Sequence, residues 1–524
     1  MRYTILIEEV LFLKKLSKIL LSKSFLFGIL FVFQLLIVFA FIAAFQKGSG
    51  YAYVVVTIVS LIISLGLVVN DKINPAYKLM WILTIVILPV TGFIFYVIWG
   101  NHANSKFRIG YSKVENSVVT QLVGFKNRLD ELCDAYPKYA RIAKYLANST
   151  GSPVNHDAGS EYFCFGELFY TDLITELQKA QEKIYLEYYI IKNGKMWESI
   201  LSILQAKARK GVDVRLIYDD FGCILSLPSD YPEKLKKSGI KAYKFNRFRL
   251  YSSVSDYRFF NHRNHRKMII IDDKIAYSGG LNLADEYINE IARFGRWKDN
   301  AFKITGNAVC GLSSIFMTDW CFVSGDKPSL PLYESNNLLS TNQGYIQSYG
   351  DSPLDYEQTS QNLYVSILNT AEKYVYITSP YLAIDNTMIT ALTNAAKSGI
   401  DVRIILPGIP DKKAVFEVTQ SYYKVLLDGG VKIYEYTPGF VHCKTFISDD
   451  KIAVIGTANM DFRSLFLHFE NGTVFYGGKI IKDVKADMIK TMSDSTQIKK
   501  ADLQKLSLKK RINQKFVKLF APLI

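Results

Sequence analysis

The 524-residue chain carries 63 Lys and Arg against 48 Asp and Glu, a formal charge of +15, and is 49% hydrophobic. Such a chain has room for two or three domains with sizeable cores, and its charge points to anionic partners: phospholipid head groups or nucleic acid. The six cysteines are scattered with no CxxC pair, which argues against a zinc site and against a disulfide framework, and places the catalytic part in a reducing compartment.

The first 24 residues form a basic segment with Arg2, Lys14, Lys15, Lys18 and Lys23. Phe25–Phe45 then runs 21 residues without a charge, Tyr51–Val69 adds 19, and Lys78–Trp99 holds 20 consecutive uncharged residues after Leu79. Each is about long enough to cross a ~30 Å hydrocarbon core at ~1.5 Å per residue. Residues 25–100 are therefore expected to be a membrane region of two or three transmembrane helices. A cleavable signal peptide does not fit, because the first run is too long and starts late. Pro89, inside the third run, marks a kink or a re-entrant piece. The cations before the first run place the N-terminus inside. Three full spans would then put the rest of the chain outside, yet Lys106, Arg108 and Lys113 after the third run argue for inside, so one of the runs need not cross.

Residues 101–150 read as a linker. Beyond them one unit is written twice. "AQEKIYLEYYI" (Ala180–Ile190) pairs with "AEKYVYITSPYL" (Ala371–Leu382), "ARKGVDVRLIYDD" (Ala208–Asp220) with "AKSGIDVRIILPG" (Ala396–Gly408), and "SGIKAYKF" (Ser238–Phe245) with "GGVKIYEY" (Gly429–Tyr436). The order is kept and only loop lengths differ, so this is an internal duplication, with one lobe over 151–335 and a second over 336–498. "VDVRLIYD" and "IDVRIILP" are strands that follow helices over Trp197–Lys210 and Thr387–Ser398, with Gly211 and Gly399 where helix C-caps belong. Alternating β and α segments predict an α/β fold: two pseudo-symmetric lobes, each a mixed sheet flanked by helices.

A fourth pair of stretches carries the chemistry. His265-x-Lys267-x4-Asp272 is followed after six residues by Gly279-Gly280-x-Asn282. His442-x-Lys444-x4-Asp449 is followed after six residues by Gly456-Thr457-x-Asn459. Strand alternation projects His265 with Lys267, and His442 with Lys444. Asp272 and Asp449 end their strands and are expected to orient the turn or support the site from behind. The glycines admit a close backbone approach. If the lobes pack about a pseudo-two-fold axis, two imidazoles and two ammonium groups converge on one pocket. Such a pocket suits attack on a phosphodiester. Two lysines and the amides of Asn282 and Asn459 hold the phosphoryl oxygens without a metal. One imidazole acts as nucleophile, forming a phosphohistidine, and the other as acid and then base. A pKa near the unperturbed ~6.5 serves both roles. Glu286 and Glu470 follow their motifs at similar distances and are the candidate partners that fix the histidine tautomers.

These paired HxK(x)4D stretches resemble the signatures of the phospholipase D superfamily. Within it, "NHRNHRK", "GGLNLADEY", "GRWKDN", "FMTDW", "TANMDFRSLFLHFE" and the closing "APLI" are similar to bacterial cardiolipin synthases, as is the apolar "YKLMWILTIVILPVTGFIFYVIWG". The chain departs in its extra apolar run at 25–45, which bears on topology. The resemblance implies phosphatidyl transfer from one phosphatidylglycerol to another, giving cardiolipin and glycerol. It implies His265, Lys267, Asp272, His442, Lys444 and Asp449 as active-site residues, with no cofactor and no nucleic-acid partner. It places the chain in the cell membrane with its lobes on the cytoplasmic face. A phospholipase D or a nuclease of the same superfamily is the alternative. Anionic lipid substrates also give the basic tail at 499–524 a role. Its stretch Lys499–Lys518 has eight Lys/Arg against one Asp, with Leu503, Leu506, Ile512 and Phe516 interspersed, and reads as an amphipathic helix near acidic head groups.

Overall fold

The computed structural model describes residues 36, 50–71, 73–100, 106–122, 127–156, 158–247, 261–330 and 344–523. It divides into two compact units, 1–105 with 248–261, and 106–247 with 262–524. The apolar run at 25–45 lies outside the described residues apart from Leu36.

In the first unit the sequence makes three helices: α1 (Gly50–Val68), α2 (Pro75–Ile87) and α3 (Pro89–Trp99). The predicted third span is therefore broken. Pro89 has no N–H to continue α2, and Leu88 leaves the helical region at φ −125°, ψ 73°. The chain reverses there, because Trp81 and Tyr96 meet edge-on with centroids 5.5 Å apart. The turn needs glycine at 92: a Cβ there would stand 2.4 Å from the Thr84 carbonyl oxygen. Trp81, Ile85 and Phe95 fill the interior with Leu67 and Ile73. The helices have 19, 13 and 11 residues. Among the described residues no helix is long and apolar enough to cross a membrane.

The second unit holds the duplicated lobes. Their strands, in chain order, are β1 (Val154–Asn155), β2 (Ser160–Phe163), β3 (Lys183–Tyr188), β4 (Asp213–Asp219), β5 (Lys241–Phe245), β6 (Met268–Ile271), β7 (Ile275–Gly279), β8 (Arg296–Lys298) and β9 (Ala301–Thr305). The second half continues with β10 (Tyr345–Asp351), β11 (Tyr374–Thr378), β12 (Leu382–Ala383), β13 (Asp401–Pro407), β14 (Lys432–Tyr436), β15 (Gly439–Val441), β16 (Thr445–Ser448), β17 (Ile452–Gly456), β18 (Met460–Asp461), β19 (Glu470–Tyr476) and β20 (Ser495–Ile498). The first sheet has the order β2-β9-β7-β6-β3-β4-β5, and the second β1-β10-β19-β17-β16-β11-β13-β14-β20. Removing β1 and β20 from the edges leaves the same order. The pairing senses agree as well: β3, β4 and β5 are parallel, as are β11, β13 and β14, and the other neighbours are antiparallel. Helices Lys195–Arg209 and Asn386–Lys397 precede β4 and β13, and Gly211 and Gly399 take φ of 90° and 94° just past their ends.

Two predicted boundaries move. β1, expected in the first lobe, pairs with β10 and so extends the second sheet. The stretch expected as a linker contains the helix Lys106–Leu122, which packs on the helix Val309–Ser324 through Phe107 and Tyr111 against Phe322. Val309–Ser324 is buried along its first thirteen residues, which explains why a charged residue within it, Asp319, needs Tyr111 and Arg266 as partners.

Each motif strand is tied down at its far end by its aspartate. Asp272, at φ 52°, accepts the backbone N–H groups of Gln181, Glu182 and Lys183. Asp449, at φ 56°, accepts those of Glu372, Lys373 and Tyr374. These carboxylates close the turn after β6 and β16 onto the start of β3 and β11.

Candidate active site

Between the lobes run two short parallel pairings, and the site follows from their register. β15 lies against β8 with Val441 opposite Lys298, so the next residues, His442 and Asp299, are neighbours. Asn264 bridges Phe469, so the next residues there, His265 and Glu470, are neighbours too. Backbone bonds lock both places: His265 N–H donates to Phe469 C=O at 2.9 Å and His442 N–H to Lys298 C=O at 2.7 Å. In consequence each imidazole meets an acid from the other lobe. His265 Nδ1 lies 2.9 Å from both Glu470 oxygens, and His442 Nδ1 2.7 Å from Asp299 Oδ2. All four side chains are buried. The residue after each acid reaches back across: Asn471 Nδ2 donates to Ser278 Oγ at 2.8 Å, and Asn300 Nδ2 to Thr445 Oγ1 at 2.8 Å.

The motif glycines make room for these acids. A Cβ at Gly280 would stand 2.1 Å from Asp299 Oδ1 and 3.0 Å from the His442 carbonyl oxygen. One at Gly456 would stand 2.7 Å from the Asn471 carbonyl oxygen. Lys267 and Lys444 are buried, and each ammonium donates to the carbonyl of its own motif histidine. Lys444 acts electrostatically on His265, and Lys267 on His442, so the two half-sites share one field.

Residues 173–293 and 364–492 match the family described as cardiolipin synthase, PLD-like domain, and residues 53–101 match the phospholipase D-nuclease N-terminal family. A cardiolipin synthase of Halalkalibacterium halodurans is 33% identical over 91% of this chain and 94% of its own length. Cardiolipin synthase 1 of Bacillus anthracis is 30% identical over 96% of this chain and its whole length. The chain belongs to the cardiolipin synthase family of phospholipase D-like enzymes. Its fold is also that of the phosphatidylserine synthase of Haemophilus influenzae, with a TM-score of 0.54 over 74% of this chain and all of the other, at 16% identity.

Of the residues expected from sequence in this cardiolipin synthase-like site, the structure brings together His265, Lys267, His442, Lys444 and Glu470. The other five are engaged elsewhere. Asp272 and Asp449 are separated from the lysines by the length of a four-residue strand, roughly 15 Å, and are occupied by backbone amides. Glu286 does not hold a histidine: it pairs with Lys192 and Arg293. Asn282 is spent within its own lobe, accepting from Ile190 N–H and donating to Tyr287 Oη. Asn459 is buried and hydrogen-bonded to Asp461. The partner that sequence reasoning missed is Asp299. Its signal was present in "GRWKDN", which aligns with "LHFEN" once the acid–Asn dipeptide is matched. Also missed were Arg266, whose Nε donates to the Glu470 carbonyl at 3.0 Å, and His468, whose ring lies 5.4 Å from that of His265.

Burial pushes both imidazoles down to about 4, and the lysine ammoniums add to the effect. Burial likewise lowers Lys267 to about 7 and Lys444 to about 8. Against the cost of burial, His265 and His468 hold Glu470 well below the usual carboxylate range, and His442 holds Asp299 below it. The acids are therefore ionised and the imidazoles neutral. Each Nδ1–H donates to its carboxylate, which leaves the Nε2 lone pair free for chemistry.

Replacing Asp299 by Asn, or Glu470 by Gln, is expected to lower turnover ~10²–10⁴-fold, as loss of a histidine-orienting carboxylate does elsewhere. Glu286→Gln is expected to stay within about threefold. Asp272→Ala should instead show in denaturation, at ~1.5–3 kcal/mol for each of the three charged hydrogen bonds lost. Steady-state kinetics and unfolding curves on the same four proteins separate these roles.

The imidazoles also set an acid limit on stability. Their folded pKa values of about 4 lie below the unfolded ~6.5, so the unfolded chain binds more protons in that window. Stability contributed by neutral His265 and His442 is complete above about pH 6.5 and lost as pH falls toward 4. The melting temperature should drop across that window, and less steeply in a His265→Gln, His442→Gln double variant.

Proposed function

We propose that the chain transfers a phosphatidyl group from one phosphatidylglycerol to the terminal hydroxyl of another, giving cardiolipin and glycerol. The observation that carries this reading is the reciprocal placement of His265 on Glu470 and His442 on Asp299, two oriented imidazoles with free Nε2 atoms beside two lysines. In the first half-reaction one Nε2 attacks phosphorus and the P–O bond to the leaving glycerol breaks. The other imidazole, protonated, donates its proton to that alkoxide. In the second half-reaction the incoming hydroxyl gives its proton to the same imidazole and its oxygen attacks phosphorus, breaking the P–N bond and freeing the nucleophile. The neutral resting imidazoles suit this scheme. One must be unprotonated to attack, and the phosphodiester's own negative charge favours protonating the other when substrate enters. Lys267 and Lys444 balance the charge that grows on the phosphoryl oxygens.

Purified protein given phosphatidylglycerol vesicles as sole lipid should produce cardiolipin and glycerol in equal amounts by mass spectrometry. Phosphatidic acid as the sole lipid product would replace this reading with a phospholipase.

The same proposal includes a multi-pass anchor in the cell membrane with the lobes on the cytoplasmic face. What supports it is the charge-free run 25–45 and the outer surface of α1, where Val54, Val55, Ile58, Val59, Leu61, Ile62 and Leu65 are exposed. A maleimide-reactive cysteine at position 110 should label only after intact cells are permeabilised; labelling from outside would reverse the orientation.

A further inference from the structure

The predicted amphipathic tail is two helices, Lys500–Gln504 and Leu508–Lys518, and the second is built unlike a helix that serves the lobe beneath it. Leu508, Ile512, Phe516 and Leu519, spaced by four, four and three residues, are exposed by 73%, 59%, 59% and 59%. At 3.6 residues per turn they form one stripe about 80° wide. The stripe faces away from the protein. The opposite face is the one that packs: Asn513 Nδ2 donates to Glu417 at 2.7 Å, Lys518 lies over the Tyr422 ring at 4.4 Å, and Gln514 and Val517 are half-buried.

Charge departs from the self-sufficient pattern in the same direction. Lys509, Lys510 and Arg511 crowd the first turn and no acid accompanies them, although cations at a helix N-terminus oppose its dipole. By helical spacing, Lys509 and Lys515 flank the stripe on either side. The helix is nevertheless held in place. Ser507 caps its first turn, accepting from Lys510 N–H at 3.3 Å, and Ala521 and Pro522 beyond its end are buried. That buried end packs beside the helix Phe462–Phe466, which leads directly to His468 and Glu470.

We propose that Leu508–Lys518 is an interfacial helix that lays its Leu508/Ile512/Phe516/Leu519 stripe into the surface of an anionic phospholipid bilayer. Nucleic acid would satisfy the lysines but leave the apolar stripe in water. A bilayer rich in anionic head groups satisfies both, since cations beside the stripe meet head groups while the apolar side chains enter the acyl boundary. Because the helix is fixed on the second lobe close to the segment bearing Glu470, its seating sets how the lobes face the lipid surface. The inference rests on the chain acting on membrane lipids, but its test does not depend on catalysis.

The test is hydrogen exchange over 508–518 in the full chain, embedded in nanodiscs of phosphatidylcholine alone or of phosphatidylcholine with phosphatidylglycerol. Exchange should be slowed ~10-fold or more in the anionic discs relative to the neutral ones. Ile512→Glu with Phe516→Glu, and separately Lys509→Gln with Lys515→Gln, should each abolish most of that slowing. All four positions are exposed, and an unchanged melting temperature shows the variants folded. Equal exchange in the two discs, or slowing that survives both double variants, overturns the proposal. A chain that binds as expected yet forms no cardiolipin leaves this inference standing and removes only the catalytic one.

Discussion

Everything in the catalytic unit depends on one reciprocal contact: each half-site histidine is oriented by an acid from the other half. The contact is a matter of backbone register. Two parallel inter-lobe pairings each end one residue short of a histidine on one segment and an acid on the other, so side chains follow from strands. Neither lobe is complete alone. The duplication supplies two imidazoles and two ammoniums, and the interface supplies the direction in which each imidazole points. Gly280 and Gly456 belong to this constraint, because a side chain at 280 would intrude on Asp299 of its own lobe and on the His442 carbonyl of the other, and one at 456 on the backbone of Asn471, next to Glu470.

Removing this cluster from water has a definite electrostatic outcome. Two carboxylates and two lysines lie in one buried region, where burial lowers the lysines as well as the imidazoles. Burial then favours the neutral ring, and the pKa of each histidine falls well below 6.5. Sequence reasoning, which knows the residue type and not its surroundings, places both imidazoles at the unperturbed value. The difference bears on the chemistry: a pair resting neutral must gain a proton on one member before that member can act as an acid.

Much of this was legible in the sequence, because duplication makes weak signals redundant. Strands β6 and β16 fall on the two four-residue stretches after the lysines, and the matched segments became equivalent strands in the two sheets. What spacing could not reveal was pairing across the interface. Glu286 and Glu470 lie at comparable distances from their motifs, yet only Glu470 faces a histidine, and it is the other lobe's. Asp299 and Glu470 are equivalent by topology, one two residues before β9 and the other at the first residue of β19, the strand next to each motif hairpin, whereas their offsets from the motif histidines differ. The third apolar run was also misleading. Its composition is that of a span, but Leu88–Pro89 turns it into two short antiparallel helices, and hydropathy carries no information about where a chain reverses.

The two half-sites, though related by duplication, are no longer equivalent. Glu470 serves His265, accepts from Thr457 and has His468 Nδ1 at 3.6 Å, and its own carbonyl is held by Arg266, whose charge is met by Asp319. Asp299 serves His442 and the Asn300 N–H, and the position matching Arg266 is Cys443. His442 sits among Tyr287, Trp297 and Phe440, where His265 has Tyr189 and His468. Transesterification through an enzyme-bound phosphoryl group asks different things of its two imidazoles, one to bond to phosphorus and one to carry a proton out and back. Here the surroundings already distinguish them: one ring is set in a polar network with a second histidine, the other among three aromatic rings, so the two imidazoles are unlike before a lipid arrives.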